Sequence, residues 1–294
     1  MKPSEYFLEL VDLGLVPHGH EKVVYGSMLS ELGFVEDGAG NYIKPGKLPL
    51  VFTAHLDTVG QAGPVYYALD ENIVSGKGWN PIGADDKAGI SLILYLQEHF
   101  PEASYALFVG EEVGLVGAKQ AAHFMRRGAW VLDDPLIMVS LDRKGKSDLV
   151  YHQLGVPTAS YDFALWLGGL LGLTPAEGVF TDSAAFKDLI PHCLNLSVGY
   201  ENPHTNEERQ DLTFLDNLAS KLLFLDWHAV LGKAREYAVW NYEEDWTSDY
   251  IRILIDMAIS KLAHNEELLR QFLYAIAETY GIDPIEELVN STWV

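Results

Sequence analysis

The chain has 294 residues, 48% of them hydrophobic and 21% charged. That is the make-up of a globular protein with room for one large α/β domain, or one domain plus a small appendage. Lys plus Arg number 20 and Asp plus Glu 42, a formal charge of −22, and so acidic a surface repels phosphate backbones and anionic lipid heads. Nucleic-acid and membrane-surface partners are therefore not expected. Cys193 is the single cysteine, so no intrachain disulfide can form. No run of about 18 apolar residues suits a membrane span. The start Met1-Lys2-Pro3-Ser4-Glu5 lacks the basic and apolar regions of a signal peptide, and a cytoplasmic location is expected.

Apolar periodicity predicts helices over 4–14 and 20–33, a short meander over 34–44, and a buried strand over 48–54. A helix over 87–98, a strand over 104–109 and a helix over 117–127 follow, the last stopped by Gly128. Next come a strand over 136–141, a helix over 158–171 with Gly172 placed as its C-cap, a strand over 193–198 and one long helix over 213–237. Strands alternating with helices predict an α/β fold with a mostly parallel central sheet between helical layers. Composition shifts near residue 238. Residues 241–249 are acidic and aromatic, and 250–261 and 266–280 repeat apolar residues at helical spacing. Asp283-Pro284 suits the start of a short last helix. The expected organisation is a domain over 1–237 and an acidic linker with a helical C-terminal appendage over 238–294.

Acid and imidazole side chains cluster at strand ends. His55-Leu56-Asp57 follows the strand 48–54, Glu111-Glu112 the strand 104–109, and Asp142 the strand 136–141. His204 lies after the strand 193–198, and Asp85-Asp86 opens the helix 87–98. An open parallel sheet binds ligands outside the carboxyl ends of its strands, so these segments deliver His55, Asp85, Glu112, Asp142 and His204 to one edge. Two histidines and three carboxylates are donors that zinc accepts. With one carboxylate bridging, each of two metal ions receives three protein ligands. Glu111 is left over beside a ligand, placed to take a proton from water and hand it to a leaving group. Asp57, two residues from His55 on extended backbone, faces the same way, and its carboxylate is expected to hold the second ring nitrogen of His55.

Each group also has a plainer reading. His55 could be a core histidine, Asp85-Asp86 a helix cap, and Glu111-Glu112 a solvated turn. Asp142 could pair with Arg143 or Lys144. Asp148 and Asp133-Asp134 compete with Asp142 but do not follow a buried strand, and His192 precedes its strand and so sits at the wrong end. Glu207 and Glu208 could orient His204 or begin a helix, the second reading suiting the dipole.

The segments His55-Leu56-Asp57-Thr58-Val59, Gly83-Ala84-Asp85-Asp86-Lys87-Ala88-Gly89, Glu111-Glu112-Val113-Gly114 and Asn202-Pro203-His204-Thr205 resemble, in order, the motifs of the co-catalytic di-zinc exopeptidases: tripeptidases, aminopeptidases, carboxypeptidases and related amidohydrolases. The resemblance implies a zinc exopeptidase-like α/β/α fold and two Zn2+ per chain, with Co2+ or Mn2+ as substitutes. It implies His55 and Asp142 on one metal, Glu112 and His204 on the other, Asp85 bridging, and a cis peptide after Asp85. The implied activity is that of a metallopeptidase: an aminopeptidase or other exopeptidase on short peptides, or alternatively an amidohydrolase or deacylase on N-acylated small molecules. A non-catalytic binding protein on the same scaffold is the third reading. Residues 143–203 are too few for the lid domain that tripeptidases insert there, and Phe180-Thr181-Asp182-Ser183 resembles the lidless aminopeptidases. That makes Asp182 and Ser183 candidate substrate contacts. Self-association is expected, if anywhere, through the C-terminal helices.

Overall fold

The structure, a computed structural model, describes residues 1–132 and 134–238. The appendage expected over 238–294 lies, apart from its first residue, outside the described residues, as does Asp133. In chain order the elements are α1 (Pro3–Asp12), α2 (Glu21–Glu31), β1 (Val35–Glu36), β2 (Tyr42–Lys44), β3 (Leu50–His55), β4 (Tyr67–Asp70), β5 (Ile73–Gly76), α3 (Ala84–His99), β6 (Ser104–Phe108) and α4 (Val116–Arg126). There follow β7 (Ile137–Arg143), β8 (Asp148–Gln153), β9 (Val156–Pro157), α5 (Tyr161–Leu171), β10 (Thr174–Glu177), β11 (His192–Ser197), β12 (Tyr200–Glu201), β13 (Arg209–Asp211), α6 (Leu212–Phe224) and α7 (Trp227–Tyr237).

The main sheet runs β1-β2-β6-β3-β7-β11-β8-β10, with β9 paired to β8. Its centre, β6-β3-β7-β11, is parallel, and β8 joins β11 antiparallel. The expected mostly parallel sheet is therefore present. Burial on both faces explains the near-continuous apolar runs of the central strands. In β3, Leu50, Phe52 and Ala54 belong to the core that also holds residues of α1, α3 and α6, while Val51 belongs to the core shared with α4. Thr53 adds a buried hydroxyl pair with Ser140 of β7 at 2.9 Å.

Helix α3 lies almost wholly buried against β3 and β7. A Cβ at Gly89 would come 2.3 Å from the Leu141 carbonyl oxygen and 2.5 Å from the Asp86 carboxylate. Glycine there lets the helix meet β7 backbone to backbone and brings the α3 start to the strand ends.

Three features depart from the pattern-based expectation. The long helix over 213–237 is two helices, because Leu225 is extended and the Asp226 carboxylate caps α7 by accepting from Ala229 N at 3.1 Å. The strand expected over 136–141 extends through Asp142 to Arg143. A second, antiparallel sheet, β12-β13-β5-β4, covers one flank. Its strands are two to four residues long and mostly half-buried, too short to carry a readable apolar alternation. Within residues 143–203 the chain builds β8 to β11 and α5, the short β12 and a 3-10 turn at Asp182–Phe186.

Candidate metal centre

The carboxyl edge of the parallel strands gathers the acid and imidazole groups, as the crossover rule requires. His55 ends β3 and is 1% exposed. Its Nε2 lies 3.0 Å from Asp85 Oδ1 and 3.6 Å from Asp142 Oδ1. The other Asp85 oxygen, Oδ2, is 3.1 Å from His204 Nε2. One carboxylate thus reaches one imidazole with each oxygen. Glu112 Oε1 lies 2.8 Å from the same His204 nitrogen. Asp85, Glu112 and His204 present ligand atoms within 4.8 Å of one another, and so do His55, Asp86 and Asp142.

Asp86 is not a free donor despite that proximity. Its Oδ2 accepts from His55 N at 3.1 Å and its Oδ1 from Gly89 N at 2.9 Å. It caps the regular part of α3 and ties that helix to the end of β3. The Asp85–Asp86 peptide is cis, as the resemblance implies.

Asp57 differs from the expectation. His55 Nδ1 is 2.9 Å from the Asp57 main-chain oxygen and 3.5 Å from its carboxylate. The carboxylate is taken by the next loop, accepting from Glu111 N at 3.0 Å and Glu112 N at 3.1 Å. The carbonyl still fixes the ring, while the side chain fixes the turn that carries Glu111 and Glu112.

Asp142 does not pair with Arg143, which forks onto Asp148. Asp142 Oδ2 accepts from Thr181 Oγ1 at 2.5 Å and Oδ1 from Tyr200 Oη at 3.1 Å. Asn195 holds its backbone through Oδ1 at 3.0 Å. Asp134 is exposed ahead of β7, and His192, at the far end of β11, is buried against the Ala234 carbonyl.

Glu208 corrects the helix-start reading. It is buried, and its two oxygens accept from Gly83 N at 2.7 Å and Asp85 N at 3.2 Å. It holds the Asp85 backbone from behind, while Glu207 stays exposed. Asp182 and Ser183 are also placed differently from a substrate-facing pair. They are 1% and 0% exposed, and the Ser183 hydroxyl donates to the Leu194 carbonyl. Neither is among the residues that line the cleft.

Charge in the centre is badly compensated by protein alone. Burial pushes the Glu111 carboxyl up to about 8, with Asp142 and Glu112 adding to the push and His55 opposing it. Burial also lifts Asp142 to about 6, assisted by Asp85 and countered by His55 and Thr181. The carboxylates of Asp85 and Glu112, close against its ring, raise His204 to about 10. Burial favours the neutral His55 ring, but Asp142, Asp57 and Asp85 outweigh it and carry the ring well above its ordinary value.

The donor set suits divalent ions. Among the described residues Glu112 Oε1 is buried without a hydrogen-bond partner although His204 Nε2 is 2.8 Å away, a contact that lacks hydrogen-bond geometry. Facing donors that miss each other's axis suit a cation held between them better than a proton. His55, Asp85, Asp142 and Glu112, His204, Asp85 make two three-ligand sets of the kind that leaves a position open on each ion.

A cleft of about 290 Å³ opens over the centre, lined by Asp85, Glu111, Glu112, Asp142 and His204 on one side. The sequence does not mark Thr181, Tyr200 or Glu208 as supports of the site. Thr181 lies inside the Phe180-Thr181-Asp182-Ser183 motif, Glu208 reads as a helix start, and nothing local marks Tyr200.

No family model matches the chain. The uncharacterized protein YqjE of Bacillus subtilis is 38% identical over 77 residues, a match that spans 24% of this chain and only 21% of that relative's length. Among solved structures, a tripeptidase from Staphylococcus aureus superposes with a TM-score of 0.60 at 17% identity, over 80% of this chain and 98% of that one. The aminopeptidase PepT from Bacillus cereus gives 0.58 at 18%, over 80% and 98%. An aminopeptidase from the archaeon Desulfurococcus kamchatkensis gives 0.60 at 15%, again over 80% and 98%. The chain has the fold of these aminopeptidases and tripeptidases.

Proposed function

We propose that the protein is a metal-dependent hydrolase that cleaves a peptide bond, as an aminopeptidase or other exopeptidase on short peptides. The observation that carries this reading is the Asp85 carboxylate spanning His55 and His204 at 3.0 and 3.1 Å beside the buried, hydrogen-bond-free carboxyl of Glu111. His55, Asp142 and Asp85 would hold one zinc ion, and Glu112, His204 and Asp85 the other. When bound, such ions polarise a carbonyl and acidify water.

The chain's own groups supply the proton path. Glu111 takes a proton from the attacking water as the new C–O bond forms, then gives it to the amine nitrogen as the C–N bond breaks. Burial alone makes Glu111 a stronger base than an ordinary glutamate, and nearby cations favour its ionised form. Asp57 keeps the Glu111-Glu112 turn in place. Thr181, Tyr200 and Glu208 orient Asp142 and Asp85, leaving their remaining lone pairs for ions. The catalytic unit is a lidless domain over 1–237. Glu111→Ala tests the reading: peptide turnover should vanish while the metal content stays near two per chain, and turnover that persists would sink it.

A further inference from the structure

The cleft has one polar group that the centre does not use. Of its charged lining residues, Asp85, Glu111, Glu112, Asp142 and His204 form the centre. Arg143 is committed to Asp148, whose Oδ2 accepts from its Nε at 3.0 Å and Nη2 at 2.9 Å. The amides are spent too. Gln153 Oε1 accepts from Thr181 N, and Asn195 is bonded both ways to the Asp142 backbone. Lys146, on the same turn as Arg143, pairs with Asp211 at 2.6 Å. The ammonium of Lys144 makes no ion pair or hydrogen bond among the described residues, and Lys144 lines the cleft.

Lys144 is also fixed in place at its backbone. Ser197 Oγ donates to its carbonyl at 2.9 Å, Gly145 N donates to the Tyr200 carbonyl at 2.7 Å, and Gly199 N donates to the Gly145 carbonyl at 2.9 Å. It stands two residues beyond Asp142, about 6.6 Å of extended chain. A bound peptide advances about 3.5 Å per residue, so a group one or two residues past the cleaved bond comes within reach of this side chain. The cleft, about 290 Å³, sits at the small end of the range for ligand sites. Val150, Val179 and Phe180 give it an apolar wall. In a protein of charge −22, Lys144 is the cation at the edge of this cleft that no carboxylate of the described residues takes, and it is free to attract an anion.

We propose that Lys144 binds a carboxylate of the substrate, one or two residues beyond the cleaved bond, and so selects short peptides over the ends of long ones. This rests on the hydrolase reading above. The carboxylate belongs either to the peptide's C-terminus or to an acidic side chain, and both present the same chemistry to an ammonium group.

The test uses the zinc-loaded full chain and three probes: trialanine, its C-terminal amide, and an amidated tripeptide ending in glutamate. The wild type should favour trialanine over its amide by about three- to fivefold in kcat/KM, carried by KM, as expected for a contact made by an exposed ammonium group. Lys144→Met should bring that ratio close to one, Lys144→Arg should restore most of it, and added salt should shrink it. A gain for the amidated glutamate peptide assigns the contact to any carboxylate, and its absence assigns it to the C-terminus. Equal use of acid and amide by the wild type, or a preference that survives in Lys144→Met, overturns the proposal. Should no peptide be cleaved at all, the hydrolase reading fails separately. Calorimetric binding of the same probes to the wild type and Lys144→Met then decides Lys144: carboxylate-dependent affinity lost in the variant supports it, and identical affinities overturn it.

Discussion

The two halves of the proposed centre offer similar donors in unlike settings. His55 is 1% exposed and ends a central strand, and Asp142 sits in the next strand under two hydroxyl donors. His204 is 44% exposed, in a loop where it and Asn202 adopt left-handed backbone, and Glu112 has no hydroxyl holding it. The inner half is built by the sheet before any ion arrives. The outer half is built by loops and is left with facing donors that miss each other. A preformed site loses less ordering free energy on binding, so the inner half should bind metal more tightly and the outer half should exchange it first.

The largest expected effect belongs to neither half. Glu111→Gln should lower turnover by about 10³-fold or more, the range for loss of a positioned proton-transfer group, with both ions retained. Steady-state kinetics beside elemental analysis checks this. Metal lost in proportion to activity would make Glu111 a ligand and redraw the boundary between the halves.

Next in size is the contrast between His55→Ala and His204→Ala. Removing His55 leaves Asp85 and Asp142 buried with their charges less compensated, which should cost the metal-free fold about 3 kcal/mol. Removing the half-exposed His204, whose charge water partly screens, should cost less, about 1 kcal/mol, while abolishing the weaker metal phase. Urea unfolding of the two stripped variants gives the comparison directly, and equal losses would show that the sheet does not favour the inner half.

The pH dependence of the stripped protein follows from the raised groups. Glu111 near 8, Asp142 near 6, Glu208 near 7 and His204 near 10 all hold protons in the folded chain that the unfolded chain has released. Stability from such groups is complete below their unfolded values and is lost as pH rises through the folded ones. Lys87, lowered by burial to about 7, and His192, also lowered, run the other way. The sum predicts that the melting temperature of metal-free protein falls between about pH 5 and 9, and that zinc removes the fall by taking the place of the protons. Calorimetric titration near pH 7 should show proton release on zinc uptake. A stripped protein whose melting temperature rises over that window would show that the centre is not proton-filled.

The inner half was legible in the sequence where chemistry follows an apolar run. Leu50 to Ala54 announces a buried strand, and His55 and Asp57 come straight after it. The same logic places Glu111 and Glu112. Asp142 was legible as a position but not as part of the strand, because nothing local ends β7 at Leu141. The supports were not legible, since they join residues far apart: Thr181 is 39 residues from Asp142, Tyr200 is 58 away, and Glu208 is 123 from Asp85. Only the tertiary fold brings such donors together. The second sheet is not legible for a different reason, because half-buried strands of two to four residues leave no period to read.

Those distant supports give the smallest and most selective prediction. Asp142 is held by the hydroxyls of Thr181 and Tyr200, at 2.5 and 3.1 Å, whereas the outer-half carboxylate Glu112 has no comparable donor. Thr181→Val keeps the shape of the side chain and removes only its donor, so the loss should fall on Asp142 alone. Partners behind a metal ligand are worth about 10- to 100-fold in affinity, and with Tyr200 still in place the lower end is expected. A competitive chelator titration should therefore show the tighter zinc phase weakened about tenfold and the weaker phase unmoved. A shift in the weaker phase instead would mean that Asp142 and Glu112 share one ion, and the division into a sheet-built and a loop-built half would fall with it.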